Sequence, residues 1–489
     1  ADGVDHVVRT HHAGNFSGEM TMLTGRPGLA IIRAAEDGEV IEVPRDAFLE
    51  LVQSDSELND LFMRAFLLRR HELAARGLGD VMVLGSSFSP GTLCVQEFLS
   101  RNGHPYTYID LDRDASAQEF LDRFHVAPSD VPVVICRGTL VLRNPSNEQI
   151  ADCLGLNASV DETRVRDVVV IGGGMAGLAA AVYGASEGLD VLVLEANAPG
   201  GQAAASSKIE NYLGFPTGIS GRDLAERAFS QAEKFGADFM IARGAVRLGC
   251  DRRPYAIEME SGTKVLARTV IIATGAEYRS LPIENLARFN GAGVYYAATR
   301  IESKVCGDEE VIVVGGGNSA GQAAVFLAST AKRVLMLVRN DLAETMSRYL
   351  IARIEQNPNI ELRTKSEIVA VEGDRHVERV RWRTRDEDGE HVSSIRHIFV
   401  MTGATPATRW LEGCVALDES GFVKTGSDLA ADELRESGWS LARSPMLFET
   451  TLPGVFAVGD VRSGSVKRCA SAVGEGSVAI SFVHRVLHE

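Results

Sequence analysis

Glycines at positions 172, 174 and 177 stand in a Gly-x-Gly-x-x-Gly pattern, and Glu195 closes the apolar run that follows them. This is chemistry for a dinucleotide. Gly172 permits a tight strand-to-helix turn, Gly174 lets backbone approach a pyrophosphate, and Gly177 allows close helix–strand packing. The following helix N-terminus attracts the diphosphate, and the acid accepts from a ribose hydroxyl. "DVVVIGGGMAGLAAAVYGASEGLDVLVLEA" supplies the buried strand, helix and second strand that must position these groups. A second set opens in "VIVVGGGNSAGQAAVFLASTAKRVLMLVR", where Gly315, Gly317 and Ala320 fill the small-residue positions. No acid ends its second strand; Val338-Arg339 stand there instead. An arginine suits a ribose 2′-phosphate and so points to NADPH over NADH, with a solvated surface arginine as the alternative.

The seven cysteines (Cys94, Cys136, Cys153, Cys250, Cys306, Cys414 and Cys469) never fall into a CxxC pair. An odd, scattered set argues against a disulfide framework or a metal site and predicts small buried hydrophobes. The formal net charge of −16 disfavours a phosphate-backbone partner, because counterion release needs clustered cations. No apolar run of about 18 residues is free of charges and glycines, so no membrane span is expected. No basic region followed by an apolar one opens the chain, which predicts a cytoplasmic protein. With 489 residues, 45% of them apolar and 48 of them glycine, the chain predicts several α/β domains with many tight turns.

Two smaller segments precede the first glycine motif. Residues 1–75 read as a turn-rich run of short strands followed by amphipathic helices. Their "GEMTMLTGRPG" resembles the phosphate-binding cassette of cyclic-nucleotide-binding domains, which implies a ribose contact at Glu19. In that family proline precedes arginine; here Arg26 precedes Pro27, which removes the usual cation and makes a structural remnant the alternative to ligand binding. Residues 78–155 read as β-α-β-α-β-β-α, with Val131-Pro132 before the third strand, and resemble a thioredoxin or glutaredoxin domain. Such domains need a thiolate at the first helix N-terminus, but Ser89-Pro90-Gly91-Thr92 carry no sulfur. Cys94 lies inside the helix and is expected to pack rather than react.

From about residue 165 onward the chain resembles low-molecular-weight bacterial thioredoxin reductases. "PGGQAAASSKIENYLGFP" matches the flavin-embracing segment, which implies isoalloxazine contacts from Gln202 and Asn211. "IIATGA", with Gly275, matches the strand that returns to the FAD site. "GVFAVGD" implies a ribityl contact from Asp460, and "KRCASAVGEG" implies flavin contacts from Arg468 and the helix start at Ala470. The resemblance implies FAD and NADPH as cofactors, with NADH an alternative, and a homodimer. It also implies an FAD domain split into 165–297 and 406–489 around a nicotinamide domain at 298–405.

The family's redox "CATC" is here Ala297-Ala298-Thr299-Arg300. Arg300 therefore stands at the flavin-proximal cysteine and predicts a cation near the isoalloxazine, with a solvent-facing arginine at a domain hinge as the alternative. Tyr296, beside Tyr295, is a candidate to cover the flavin face, with a core tyrosine as the alternative. The expected fold is α/β: two Rossmann-like domains for FAD and NAD(P)H, preceded by a thioredoxin-like domain and a partial β-roll with helices. The expected activity is an FAD-dependent NAD(P)H oxidoreductase that passes electrons to a redox protein or small-molecule acceptor. Three alternatives stand beside it: a thioredoxin reductase using other cysteines such as Cys306 or Cys469, a ferredoxin/flavodoxin–NADP reductase, and a redox or cyclic-nucleotide sensor.

Overall fold

The computed structural model describes residues 7, 9–24, 31–76, 81–86, 89–112, 130–136, 140–157, 161–206, 208–387 and 389–489. Among described residues, no strand precedes Val81. Where short strands were expected stands the helix Glu19–Thr24, while the expected helices that follow are Arg45–Ser54 and Ser56–Arg76. The physical reason is visible in the intervening stretch. Ile31, Ile32, Val40 and Ile41 are exposed, and strands without a neighbouring sheet have no face to bury. Leu23, Phe48, Val52 and Phe66 form a small separate core, and the first helix packs on Gly221–Lys234 of the large domain. Arg26, Pro27 and Gly28 lie outside the described residues.

The next unit is a four-stranded sheet ordered Tyr106–Asp110, Val81–Gly85, Val133–Cys136, Leu140–Arg143. The first pair is parallel and the other two are antiparallel, as a thioredoxin-like fold requires. Pro90 starts its first helix, where a missing N–H costs nothing. Ser146 and Gln149 form a reciprocal capping box on Asn147–Leu154, and Gly155 ends that helix in the left-handed region. The second helix expected here, near 115–124, lies outside the described residues.

The large domain is centred on a sheet ordered Asp238–Ile241, Val191–Glu195, Val165–Ile171, Lys264–Ile272, Tyr255–Met259, Ala245–Gly249. Val455–Ala457 joins it in parallel beside Lys264–Ile272. The helices Met175–Ser186 and Cys469–Leu487 cross closely because small residues face each other. A Cβ on Gly476 would fall onto the Ala176 carbonyl oxygen. The second dinucleotide sheet is wholly parallel, ordered Val294–Tyr295, His397–Val400, Glu310–Val314, Arg333–Leu337, Ile360–Arg363.

Two antiparallel strands, Ala276–Tyr278 and Ala404–Pro406, connect the lobes. The chain therefore leaves the first lobe near residue 279 rather than at 297. Val294–Tyr295 already belongs to the second sheet, and a strand of two residues has too little pattern to be read from sequence. The cysteines also depart from expectation: Cys136 pairs with Cys153 and Cys250 with Cys414 in disulfides. Among described residues, no helix is long and apolar enough to cross a membrane.

Candidate functional site

A single open cavity of about 1780 Å³ runs between the two lobes. That exceeds the ~300–1,000 Å³ of one small-molecule site and suits two dinucleotides meeting end to end. Both glycine motifs open onto it, each at the end of a buried strand. Gly172 has φ +103°, and a Cβ there would fall onto the Ala273 carbonyl. Gly177 does not border the cavity; its Cβ would strike the Gly172 carbonyl, so its task is packing. Gly174 differs from both. A Cβ there finds only Gly201 Cα, at 3.9 Å, because the space in front of it is the cavity. Glu195 reaches the same space while accepting from the N–H groups of Gly173 (2.6 Å) and Asn197 (2.8 Å). Burial raises its pKa, and those two N–H donors oppose the rise.

Toward the middle of the cavity stand Gln202, Asn211, Gly275, Asp460 and Arg468. Gln202 donates to the Ala276 carbonyl, and Gly275 turns with φ +67°. Burial raises the pKa of Asp460, against the pull of the nearby Lys467 ammonium. Arg468 precedes the helix Cys469–Leu487. Ala470 is exposed on that helix and does not border the cavity; the wall there is formed by Arg468, Cys469 and Ala472. These groups fit a flavin dinucleotide: a glycine cradle open to a diphosphate, an acid for a ribose, and amides and cations along the ring.

The tyrosine pair divides between the two alternatives. Tyr295 is buried, its hydroxyl 3.3 Å from His397 Nδ1, in the core of the second lobe. Tyr296 borders the cavity and donates to Ser280 Oγ (3.3 Å). Ala297 borders the cavity as well, whereas the Arg300 side chain lies outside the described atoms. Glu302, which sequence reasoning missed, reaches the cavity from the same short helix. It is buried, accepts from the Thr299 N–H at 2.8 Å, and has its pKa raised by burial. Its context, "TRIESKV", is that of an ordinary polar helix and gives no signal.

In the second cradle Gly315 has φ +138° and its Cβ would meet the Met401 carbonyl, whereas a Cβ on Gly317 meets nothing. Ala320 is buried beneath the turn and does not border the cavity. Arg339 is exposed on the cavity wall with no ion-pair partner among the described residues. Asp341 and Glu344 share that wall, so a 2′-phosphate would meet one cation and two acids. Arg339→Ala should raise the KM for NADPH about ten- to a hundredfold, the loss of one charge-assisted contact worth ~1.5–3 kcal/mol. The KM for NADH should barely move; equal effects on both cofactors would make the arginine structural.

The thioredoxin-like unit forms part of the cavity wall. Pro90, Leu93, Cys94, Glu97 and Arg101 all border it from one helix. Only long-range packing brings them there, so no local signal announced it. Cys94 and Cys469 border the cavity as free thiols, both with pKa values raised by burial. Cys306 is buried in the second lobe, where burial pushes its thiol up to about 12. Cys306 and Cys469 are both free, and neither disulfide borders the cavity. Glu19 is buried in an ion pair with Arg69 at 2.7 Å, which engages the carboxylate a ribose contact would use. No cluster among the described residues is suited to a metal ion.

Comparison with known proteins adds an independent line. The family model "Pyridine nucleotide-disulphide oxidoreductase" matches residues 166–476, and "Cyclic nucleotide-binding domain" matches residues 1–55. Thioredoxin reductase of Bacillus subtilis (strain 168) is 31% identical over 334 residues, covering 68% of this chain and 97% of that protein. Thioredoxin reductase of Mycolicibacterium smegmatis is 32% identical over 326 residues, covering 66% and 97%. Among solved structures, thioredoxin reductase of T. acidophilum superposes with a TM-score of 0.59 at 28% identity, covering 67% of this chain and 100% of that one.

Proposed function

We propose a specific task for this chain, which belongs to the pyridine nucleotide-disulphide oxidoreductases and, within them, to the thioredoxin reductase family: it is an FAD-dependent NAD(P)H oxidoreductase whose acceptor is reached without a CxxC disulfide. The observation that carries this reading is the wall beside the two cradles. Ala297 borders it, the tetrad Ala297-Ala298-Thr299-Arg300 holds no sulfur, and the free thiols on the cavity, Cys94 and Cys469, are unpaired.

Bound FAD supplies two-electron chemistry between a nicotinamide and an acceptor. The chain's own residues bind and orient. Gly172 and Gly174 open the turn for the diphosphate, Glu195 meets the ribose, and Asp460 meets the ribityl chain. Gly315 and Gly317 seat the nicotinamide dinucleotide, with Arg339 at its 2′-phosphate. Gln202 and Asn211 border the ring, and Tyr296 lines the same cavity. The acceptor is a redox protein or a small molecule, and the chain assembles as a homodimer. The ion pair between Glu19 and Arg69 speaks for the structural reading of the N-terminal segment over the cyclic-nucleotide one.

The test is turnover with thiols blocked. Native protein and protein alkylated with iodoacetamide are given NADPH and, in turn, thioredoxin, ferredoxin, a quinone and oxygen. The proposal expects at least one thiol-free acceptor to be reduced at the same rate before and after alkylation. Turnover of thioredoxin alone, abolished by alkylation, would favour the alternative of a reductase using Cys94 or Cys469.

A further inference from the structure

We propose that Arg101, carried by the thioredoxin-like domain, is a cation of the FAD diphosphate cradle, so that the redox-silent domain completes the cofactor site; this rests on the flavin reading of the first cradle. Arg101 is the last residue of the helix Pro90–Arg101 and crosses to the large domain. Its Nη2 donates to the carbonyl oxygens of Gly201 (3.0 Å) and Ala198 (3.4 Å). The side chain is only 17% exposed and borders the same cavity as Gly174, Gly201 and Glu195.

Carbonyls orient a guanidinium but do not neutralise it. Among the described residues, the carboxylate paired with Arg101 is Glu97, a turn earlier, at a loose 3.4 Å. Glu195 lies within its field, but the Glu195 oxygens are committed to the N–H groups of Gly173 and Asn197. Arg101 Nε is buried with no acceptor. A largely buried cation left short of partners is unfavourable, and an anion beside it relieves the cost. The open space in front of Gly174, at the N-terminus of Met175–Ser186, is where a diphosphate would sit. Residues 172–177 carry no cation of their own, so a side-chain charge at the diphosphate comes from elsewhere in the chain.

Arg101 also helps hold the two domains together, and the experiment must separate the two roles. A second latch between the same domains is the Asn147 Nδ2 to Asn197 Oδ1 bond at 3.1 Å. Flavin-free wild-type, Arg101→Leu, Arg101→Lys and Asn147→Ala proteins are titrated with FAD, reading the quenching of flavin fluorescence at several salt concentrations. Arg101→Leu should raise the Kd about ten- to a hundredfold, as loss of a charge-assisted contact does, and should flatten its salt dependence. Arg101→Lys, which keeps the charge and guards against a folding defect in the leucine variant, should lose less. Asn147→Ala should stay within about twofold of wild type. An unchanged Kd in Arg101→Leu overturns the inference, and so does equal weakening in Asn147→Ala, which would make docking the whole effect. Failure of the wild-type chain to bind FAD at all would instead sink the flavin reading beneath it.

Discussion

Gly174→Val should yield a folded, colourless protein. A Cβ at this position meets no protein atom closer than Gly201 Cα at 3.9 Å, and the space beyond it is the cavity, so the fold has room for a branched side chain. What it occupies is the space where a diphosphate approaches the helix N-terminus. FAD affinity should fall by about a hundredfold or more, since the diphosphate loses its backbone donors together, at roughly 1–1.5 kcal/mol each. Absorbance near the flavin bands, set against the circular dichroism of the same sample, measures both halves of the expectation. A variant that purifies fully yellow would remove this motif from the FAD site. Gly177 provides the contrast, because its added Cβ would strike the Gly172 carbonyl and unfold the turn rather than empty the cavity.

Gly317→Val should produce the complementary phenotype, a yellow protein that NADPH no longer bleaches. The second cradle copies the first: Gly317 precedes the helix Asn318–Leu327, borders the cavity, and has nothing within 4 Å of its would-be Cβ. The flavin end of the cavity is built from other residues and should keep its cofactor. Stopped-flow mixing with NADPH should show flavin reduction slowed by about a hundredfold at subsaturating cofactor, for the same loss of diphosphate donors. Dithionite should still reduce the flavin fully. If Gly317→Val lost FAD instead, the order of the two cradles would be reversed.

The two glycine motifs were legible because their chemistry is local. Gly172 and Gly315 sit at positive φ beneath a carbonyl, a demand that only glycine meets and that leaves a mark in sequence. Asp460 and Gln202 were legible only through resemblance, since nothing in their own spacing announces a site. Other features left no such mark. Val294–Tyr295 joins the second sheet on two residues, too short for a period to show, so this edge of the lobe is not legible in sequence. Cys250 and Cys414 are 164 residues apart, and spacing says nothing about a contact made by folding. The alternating residues between 31 and 43 look like strands, but a pattern becomes a strand only where a sheet edge can receive it. Arg101 was invisible for the same reason as the disulfides. Its importance comes from a packing of domains, and in sequence it is one arginine at a helix end.

The central claim is that electrons pass between nicotinamide, flavin and acceptor with no dithiol coupled to the flavin. Anaerobic titration of the purified protein with NADPH, followed at the flavin absorbance, measures this directly. A flavin alone takes up two electrons, the content of about one NADPH. The account predicts that bleaching is complete at about one equivalent per bound flavin, with no further uptake. It also predicts the same end point after alkylation of the thiols, since Cys94 and Cys469 are single and the disulfides Cys136–Cys153 and Cys250–Cys414 lie off the cavity. Consumption of about two equivalents per flavin, with new thiols appearing in step, would show a coupled disulfide and contradict it.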